Sequence, residues 1–385
     1  MKILYITPFV LRNNANQAGV NCSYNLIKLI KEQYNASIDI IGTINSHEIN
    51  TDYKDIKIYT DNQYFYNINR NIKLKNILVN MNKPVLATVR YDVRVKNKIK
   101  ELVKLNNYDY ILVDYTQNSL YINDIKKCNY NGKIILIEQD VSFLGYKRKY
   151  DNAKSKLSRL MYKFEYNRLK TFETNIAKRF DVVLTLNEKD AKLLDSNNIK
   201  IIKPFVKDWN VKQREHTGFN IMFWGAMNRK ENEEAVYNFV NNIWPLVHRE
   251  NTKFYIIGAN PSEKIKRLAC ESVVVTGFVD SPKEYFEIMD LSVVPLTLGA
   301  GIKIKVLESL ANGIPVVTTS IGAEGIETSS QMFVTNDWNE FARKVNFFKK
   351  NNSLEAHKNI NDIDNMKNNY SFSSNVKVLD GIFRK

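Results

Sequence analysis

The chain has 385 residues and a formal net charge of +15, with 44% hydrophobic residues, and that length favours two domains of ordinary size over a single core. Cys22, Cys128 and Cys270 lie too far apart for a metal or redox motif and fit a reducing intracellular compartment. No apolar run approaches the ~20 residues of a membrane span, so a spanning protein is excluded and a soluble or peripheral one is expected.

The opening run, MKILYITPFVL, carries one lysine, is interrupted by Pro8 and has no small-residue cleavage site after it. It reads as a buried first strand and not as a signal peptide. Strand candidates KILYIT, SIDIIGT, DIKIYT, YILVDY, KIILIEQ and DVVLTL then alternate with longer amphipathic segments. Between Lys203 and Phe219 the rhythm stops in a polar stretch, the expected linker. It resumes with NIMFWG, KFYIIGA, SVVVTG, LSVVPL and IPVVTT. Continuous apolar strands separated by helices predict parallel sheets covered on both faces. The expectation is an α/β chain of two doubly wound, Rossmann-like domains, residues 1–205 and 206–365, followed by a helix over 366–385 that packs on either domain.

One stretch carries chemistry, GAGIKIKVLESLANGIPVVTT from Gly299 to Thr319. Gly299, Ala300 and Gly301 permit close approach of main-chain N–H groups to a ligand at the mouth of a helix expected to start near Gly301, where first-turn amides lack intrahelical partners. Lys305 and Glu308, three residues apart, share a face directed toward that mouth. A lysine with free amides suits a diphosphate, and a carboxylate suits the vicinal hydroxyls of a ribose. An ordinary helix with solvated lysines reads equally well from this stretch alone.

The neighbouring stretches FWGAMNRKENEEAVYNFVNNIWPLV, FYIIGANP and VVVTGFVDSPKEYFEIMDLSVVPL precede it in fixed order. In that order the second half resembles the nucleotide-sugar domain of family 4 glycosyltransferases of the GT-B fold. The resemblance implies that Glu308 contacts the donor ribose, that Lys305 and the amides of Gly299 to Ile302 hold the diphosphate, and that Gly225 lies close to the donor. It implies that Thr276, Gly277, Phe278 and Val279 wall the base. Arg229 and Lys230 stand near the family's basic pair, with a solvated helix start as the other reading. Where relatives carry a sugar-binding glutamate, this chain has Ala300.

The first half resembles the acceptor domain more loosely, through MKILYITPFV, Gly19, IEQDV and FETNIAKRFDVVLTLNEKDAKLL. Gln139 stands where many relatives have a histidine beside the reaction centre. Gln139 and Asp140 are therefore acceptor-side candidates, Asp140 also as a catalytic residue or, alternatively, a cap of the next segment. Glu173 matches a family glutamate and is equally explained by a surface pair with Lys170. His47, His216, His248 and His357 form no pair with a neighbouring carboxylate or cysteine in sequence, and Asp362 and Asp364 lie in an asparagine-rich tail, so no metal site and no metal cofactor is expected.

Residues 1–205 hold 34 basic and 20 acidic residues, and 206–385 hold 22 and 21, so the positive excess belongs to the first half. The basic runs Lys147 to Arg179 and Arg90 to Lys104 fit an anionic membrane surface, with Leu157, Met161, Phe164, Phe172 and Ile176 of the first run expected on a core face. Nucleic acid fits less well, because no aromatic–basic interleaving is present.

By resemblance the expected activity is that of a retaining, metal-independent glycosyltransferase. It would move a hexose or N-acetylhexosamine from a UDP- or GDP-sugar to a glycan or lipid-diphosphate-linked acceptor, on the inner face of the cell membrane. A non-catalytic partner subunit and a sugar-nucleotide epimerase of the same fold are the alternatives.

Overall fold

The computed structural model describes residues 1–13, 18–48, 54–351 and 359–384. His357 and the side chain of His47 lie outside the described set. The chain divides into two compact units, Met1–Lys203 with Asn375–Lys385, and Pro204–Ser374.

The first unit is built on seven strands, β1 (Lys2–Thr7), β2 (Ser37–Asn45), β3 (Asn62–Ile68), β4 (Tyr110–Asp114), β5 (Lys133–Glu138), β6 (Val182–Thr185) and β7 (Ile199–Ile201). They pair in parallel in the order β3-β2-β1-β4-β5-β6-β7. The central strands β1, β4 and β5 are buried at nearly every position because helices cover both faces of the sheet. Strand order reverses between β1 and β4, which fixes where loops from the two halves of the sheet meet.

The second unit repeats the plan with β8 (Phe219–Trp224), β9 (Thr252–Ile257), β10 (Val273–Gly277), β11 (Leu291–Val294), β12 (Val316–Thr318) and β13 (Met332–Val334). Their order is β10-β9-β8-β11-β12-β13, all parallel, with the reversal between β8 and β11.

Three expectations change. The candidate strand DIKIYT is instead a helical turn, Lys54–Lys57, and the third strand is the half-buried sheet edge NQYFYNI that follows. An edge strand buries less, so its sequence lacks the continuous apolar run that marks a central one. The helix expected from Gly301 begins at Ile304, because Gly299 (φ 112°) and Gly301 (φ 70°) adopt left-handed backbone that a helix excludes.

The long helix Lys156–Ala177 does not bury its apolar stripe evenly. Ile176 is buried and Phe172 packs against the core, whereas Leu157 (80% exposed), Met161 and Phe164 face solvent.

The tail forms the helix Phe372–Phe383, which joins the first unit from Asn375 onward. There Tyr34 donates to Asp380 (2.9 Å) and Tyr110 to the carbonyl of Ile382 (3.1 Å).

Candidate active site

The carboxyl ends of β8, β9, β10 and β11 converge at the reversal of the second sheet, where loops can approach a ligand. Two glycines make the crossing possible. Gly225 (φ 147°) and Gly258 (φ 148°) end β8 and β9, and a Cβ on Gly258 would fall 1.9 Å from the carbonyl oxygen of Gly225. The Gly258 N–H donates to Gly277 at 3.1 Å, so the ends of β8, β9 and β10 form one floor.

Lys305 enters from the first turn of the helix Ile304–Ala311. Its ammonium donates to Asn232 Oδ1 at 2.7 Å, lies 4.1 Å from the centre of the Phe223 ring and would stand 2.8 Å from a Cβ on Gly225. Burial, followed by the charges of Arg229 and Lys303, pushes its pKa well below the usual lysine value, while Glu231 opposes the shift. Asn232 is itself buried and fixed by donating to the carbonyl of Ala226 at 2.8 Å. The result is a cation held under strain of desolvation at a helix mouth, an arrangement that an incoming anion relieves.

The loop before the helix is tied down from both sides. Lys303 donates to the carbonyls of Ala300 (3.2 Å) and Gly301 and pairs with the buried Glu324 at 3.6 Å. Thr297 donates to Glu234 at 3.0 Å. Lys303 is therefore a structural strut, which leaves Lys305 as the lysine turned to the floor. Ile302 is buried beneath the loop.

Glu308 follows Lys305 by one turn and is buried, with Oε2 lacking any hydrogen-bond partner among the described residues. Burial raises its pKa to about 8, opposed by the charge and backbone N–H of Lys207. An orphaned buried carboxyl oxygen is expensive unless a ligand completes it. Around this centre, Arg229 is exposed and paired with Glu231, and Lys230 is exposed. Thr276 donates to the carbonyl of Gly277 (3.0 Å), Phe278 is 71% exposed and Val279 packs on the core beside Trp209 and Phe286. Asn232, central to the site, was missed by sequence reading. Nothing but its spacing after Gly225 marks it.

In the first unit the residues after β4 and β5 meet the start of the helix Ala18–Tyr34. A Cβ on Gly19 would lie 2.0 Å from the Tyr115 hydroxyl, so a side chain there would have to displace the Tyr115 ring. Tyr115 itself adopts φ 64°, ψ 147°, a conformation rare for a side chain of that size. Gln139 is buried and donates to Ser23 (2.8 Å) and Asp114 (3.1 Å), while Ser23 donates to Asp114 at 2.7 Å. Burial raises the Asp114 pKa to about 7 against the pull of these donors. Asp114, Ser23 and Tyr115 escaped sequence reading because their significance lies in tertiary contact.

Asp140 is half-buried at the end of the same loop; burial raises the pKa of both Glu138 and Glu173, and the Asp140 charge adds to each shift. The cap of the next helix, Ser142–Asp151, is not Asp140. Glu173 supplies it, accepting from the N–H groups of Ser142 (3.2 Å) and Phe143 (3.1 Å). Glu173 is thus buried and not in a surface pair with Lys170. His216 also departs from expectation by lying 3.4 Å from Asp290, at the amino end of β8 and so away from the ligand end of the sheet.

The geometry agrees with what the chain is similar to. Residues 218–351 match the family described as Glycosyl transferases group 1. An uncharacterized 44.6 kDa protein in the cps region of Klebsiella pneumoniae is 25% identical over 322 residues, 78% of this chain and 80% of that protein. Among solved structures, a S. aureus TarM variant in complex with Fondaparinux, alpha-GlcNAc-glycerol and UDP aligns over 100% of both chains with a TM-score of 0.67 at 13% identity. Anabaena HepE in complex with UDP aligns over 99% of both chains, with a TM-score of 0.65 and 13% identity. The match to the group 1 glycosyltransferase model thus falls within the second unit, and the chain as a whole has the GT-B fold of two Rossmann-like domains.

Proposed function

We propose that the protein is a retaining glycosyltransferase that moves a hexose or N-acetylhexosamine from a nucleotide-diphosphate sugar to a glycan or lipid-diphosphate-linked acceptor in surface polysaccharide synthesis. The observation that carries this reading is the meeting of Lys305, Gly225 and the Gly299–Ile302 loop at the β8/β11 reversal, with the unpartnered oxygen of Glu308 one turn along the helix. Lysine and amides take the diphosphate, and Glu308 takes the ribose hydroxyls. The UDP held by both structural neighbours favours uridine over guanosine, and the cps setting of the Klebsiella relative favours a polysaccharide acceptor.

In this mechanism the acceptor hydroxyl oxygen bonds to the anomeric carbon as the bond from that carbon to the β-phosphate oxygen breaks. The hydroxyl proton passes to the departing diphosphate on the same face, so the configuration is retained. Lys305 and the loop amides stabilise the charge that grows on the phosphate, and no metal is invoked for that task. Asp140, with the loop that Gln139 anchors, orients the acceptor. The enzyme works at the cytoplasmic face of the cell membrane.

The test is a panel of UDP- and GDP-sugars scored by thermal stabilisation, with wild type and Glu308→Ala, each with and without chelator. A UDP-sugar is expected to raise the melting midpoint of wild type alone, unaffected by chelator, and transfer to a lipid-linked glycan should follow. No shift in the wild type overturns the donor site, a chelator-sensitive shift overturns metal independence, and conversion of donor to an isomer without acceptor favours an epimerase.

A further inference from the structure

We propose that the first unit docks on an anionic lipid surface by inserting an apolar ridge, formed by the amino-terminal half of the helix Lys156–Ala177 and the carboxyl end of the helix Arg70–Val79. The ridge consists of Leu157, Leu160, Met161 and Phe164 from the first helix, Leu78 from the second and Met81 just beyond its end, exposed by 80%, 67%, 53%, 59%, 67% and 70% respectively. The four positions on the long helix fall at i, i+3, i+4 and i+7 and so form one stripe. Arg168 joins the two parts. Its guanidinium lies 4.9 Å from the centre of the Phe164 ring, pairs with Glu165 at 2.6 Å and donates to the carbonyls of Met81 and Lys83.

Single exposed leucines are ordinary, but a contiguous exposed stripe marks an interaction surface. Its charge selects the partner. Residues 70–83 hold four basic and no acidic residues, and residues 147–163 hold seven basic residues with Asp151 as the one acid. Lys154, Lys156, Arg159 and Lys163 are exposed beside the stripe. A second copy of the chain would bring two such cationic rims together, whereas anionic headgroups neutralise them while the ridge enters the acyl boundary. The inference deepens the membrane setting proposed above, and rests on that reading for its role in meeting a lipid-linked acceptor. It reverses the expectation that the apolar side of this helix packs inward, since the apolar side chains are themselves the inserting group.

The experiment is co-sedimentation of the full chain, without nucleotide, with vesicles of phosphatidylcholine alone and of equal parts phosphatidylcholine and phosphatidylglycerol. Wild type should partition onto the mixed vesicles and not onto the neutral ones. Leu160→Ser with Phe164→Ser should lower partitioning at least about tenfold, and Lys156→Glu with Lys163→Glu by at least about fivefold for each charge changed. Both double variants should keep the wild-type melting midpoint and its shift with UDP, because these side chains are exposed and lie in the first unit. Equal binding to neutral vesicles, or unchanged partitioning of either variant, overturns the proposal. So does a wild-type dimer in lipid-free solution that Leu160→Ser with Phe164→Ser dissociates. Loss of the UDP shift in wild type with vesicle binding intact would remove the transferase reading and leave the lipid surface standing.

Discussion

Lys305 and Glu308 lie one turn apart, and each carries an energetic debt in the free protein. For Lys305 the enclosed ammonium has, among the described residues, Asn232 Oδ1 as side-chain acceptor and the face of Phe223, which together compensate only part of its desolvation. Removing it should therefore leave the free protein as stable as wild type or more so. The same Lys305→Ala change should lower kcat/KM roughly ten- to a hundredfold, since a charge-assisted contact of about 1.5–3 kcal/mol with the leaving diphosphate is lost. Paired melting curves and initial rates check both halves, and a destabilised but fully active variant would contradict them. Glu308 predicts a pH effect of definite sign. With a pKa of about 8 it is protonated in the free protein at neutral pH, whereas the ribose hydroxyls it is proposed to bind donate to its ionised form. Binding then releases a proton, so UDP affinity should rise with pH up to about 8, by at most about tenfold per pH unit. In Glu308→Gln that dependence should disappear, leaving the titration of UDP itself and of Lys305, whose depressed pKa an incoming anion raises. Calorimetric titrations at several pH values in two buffers of different ionisation enthalpy measure the proton released.

Among the elements, the helix Ser142–Asp151 shows how a cap is borrowed. Val141 precedes it with no side chain to cap it, and Glu173, from near the carboxyl end of another helix, takes the first two amides. Glu173→Ala should cost about 1–3 kcal/mol through one buried and one half-buried N–H group left unpaired, seen as a lower urea midpoint, with UDP binding in the second unit retained. A surface pair with Lys170 would predict almost no loss. The sequence invited that surface reading because Lys170 and Glu173 are neighbours on a helix, whereas the packing that buries Glu173 comes from a segment 30 residues away. The same limit explains the long helix, whose apolar residues recur at one spacing from Leu157 to Ile176 although only the later ones meet a core. By contrast, the local arrangement around the helix Ile304–Ala311 could be read from the sequence before its proposed role as a donor site. Its glycines, lysine and glutamate lie within ten residues, so local order alone fixes their relation. What stayed hidden were partners supplied by other segments, the helix Lys230–Asn238 and the irregular stretch before β8. Asn232 beneath Lys305 and Lys207 beside Glu308 are both ordinary polar residues until the sheet brings them in.

At the scale of the whole molecule, both units bury carboxyl groups that the fold prefers neutral. In the first, burial raises Asp114 to about 7 and Glu173 to about 8 and lifts Glu138 also; in the second it raises Glu308 to about 8. The ordinary values are 3.8 for Asp and 4.5 for Glu. Between those values and the raised ones the folded chain binds more protons than the unfolded chain. Stability must then fall as pH rises through this window, by up to about 1.4 kcal/mol per pH unit for each group. Below it, the opposite sign takes over through Asp61 and Asp208, whose pKa values are depressed by backbone and lysine donors and which lose their contribution on protonation. The melting midpoint is therefore expected to peak at about pH 4, where the two windows meet, and to decline toward pH 8. Asp114→Asn provides the control within the first unit. It keeps the size of the side chain and can donate to Ser23, which is able to turn its own hydroxyl to the carbonyl of Gly19 at 3.0 Å. That variant should match or fall slightly below wild type at pH 5.5 and exceed it at pH 8.5, so that the two midpoint curves cross. Curves that run parallel, or a wild-type midpoint that climbs between pH 6 and 8.5, would mean that these carboxyls are ionised in the folded chain and are stabilised by it.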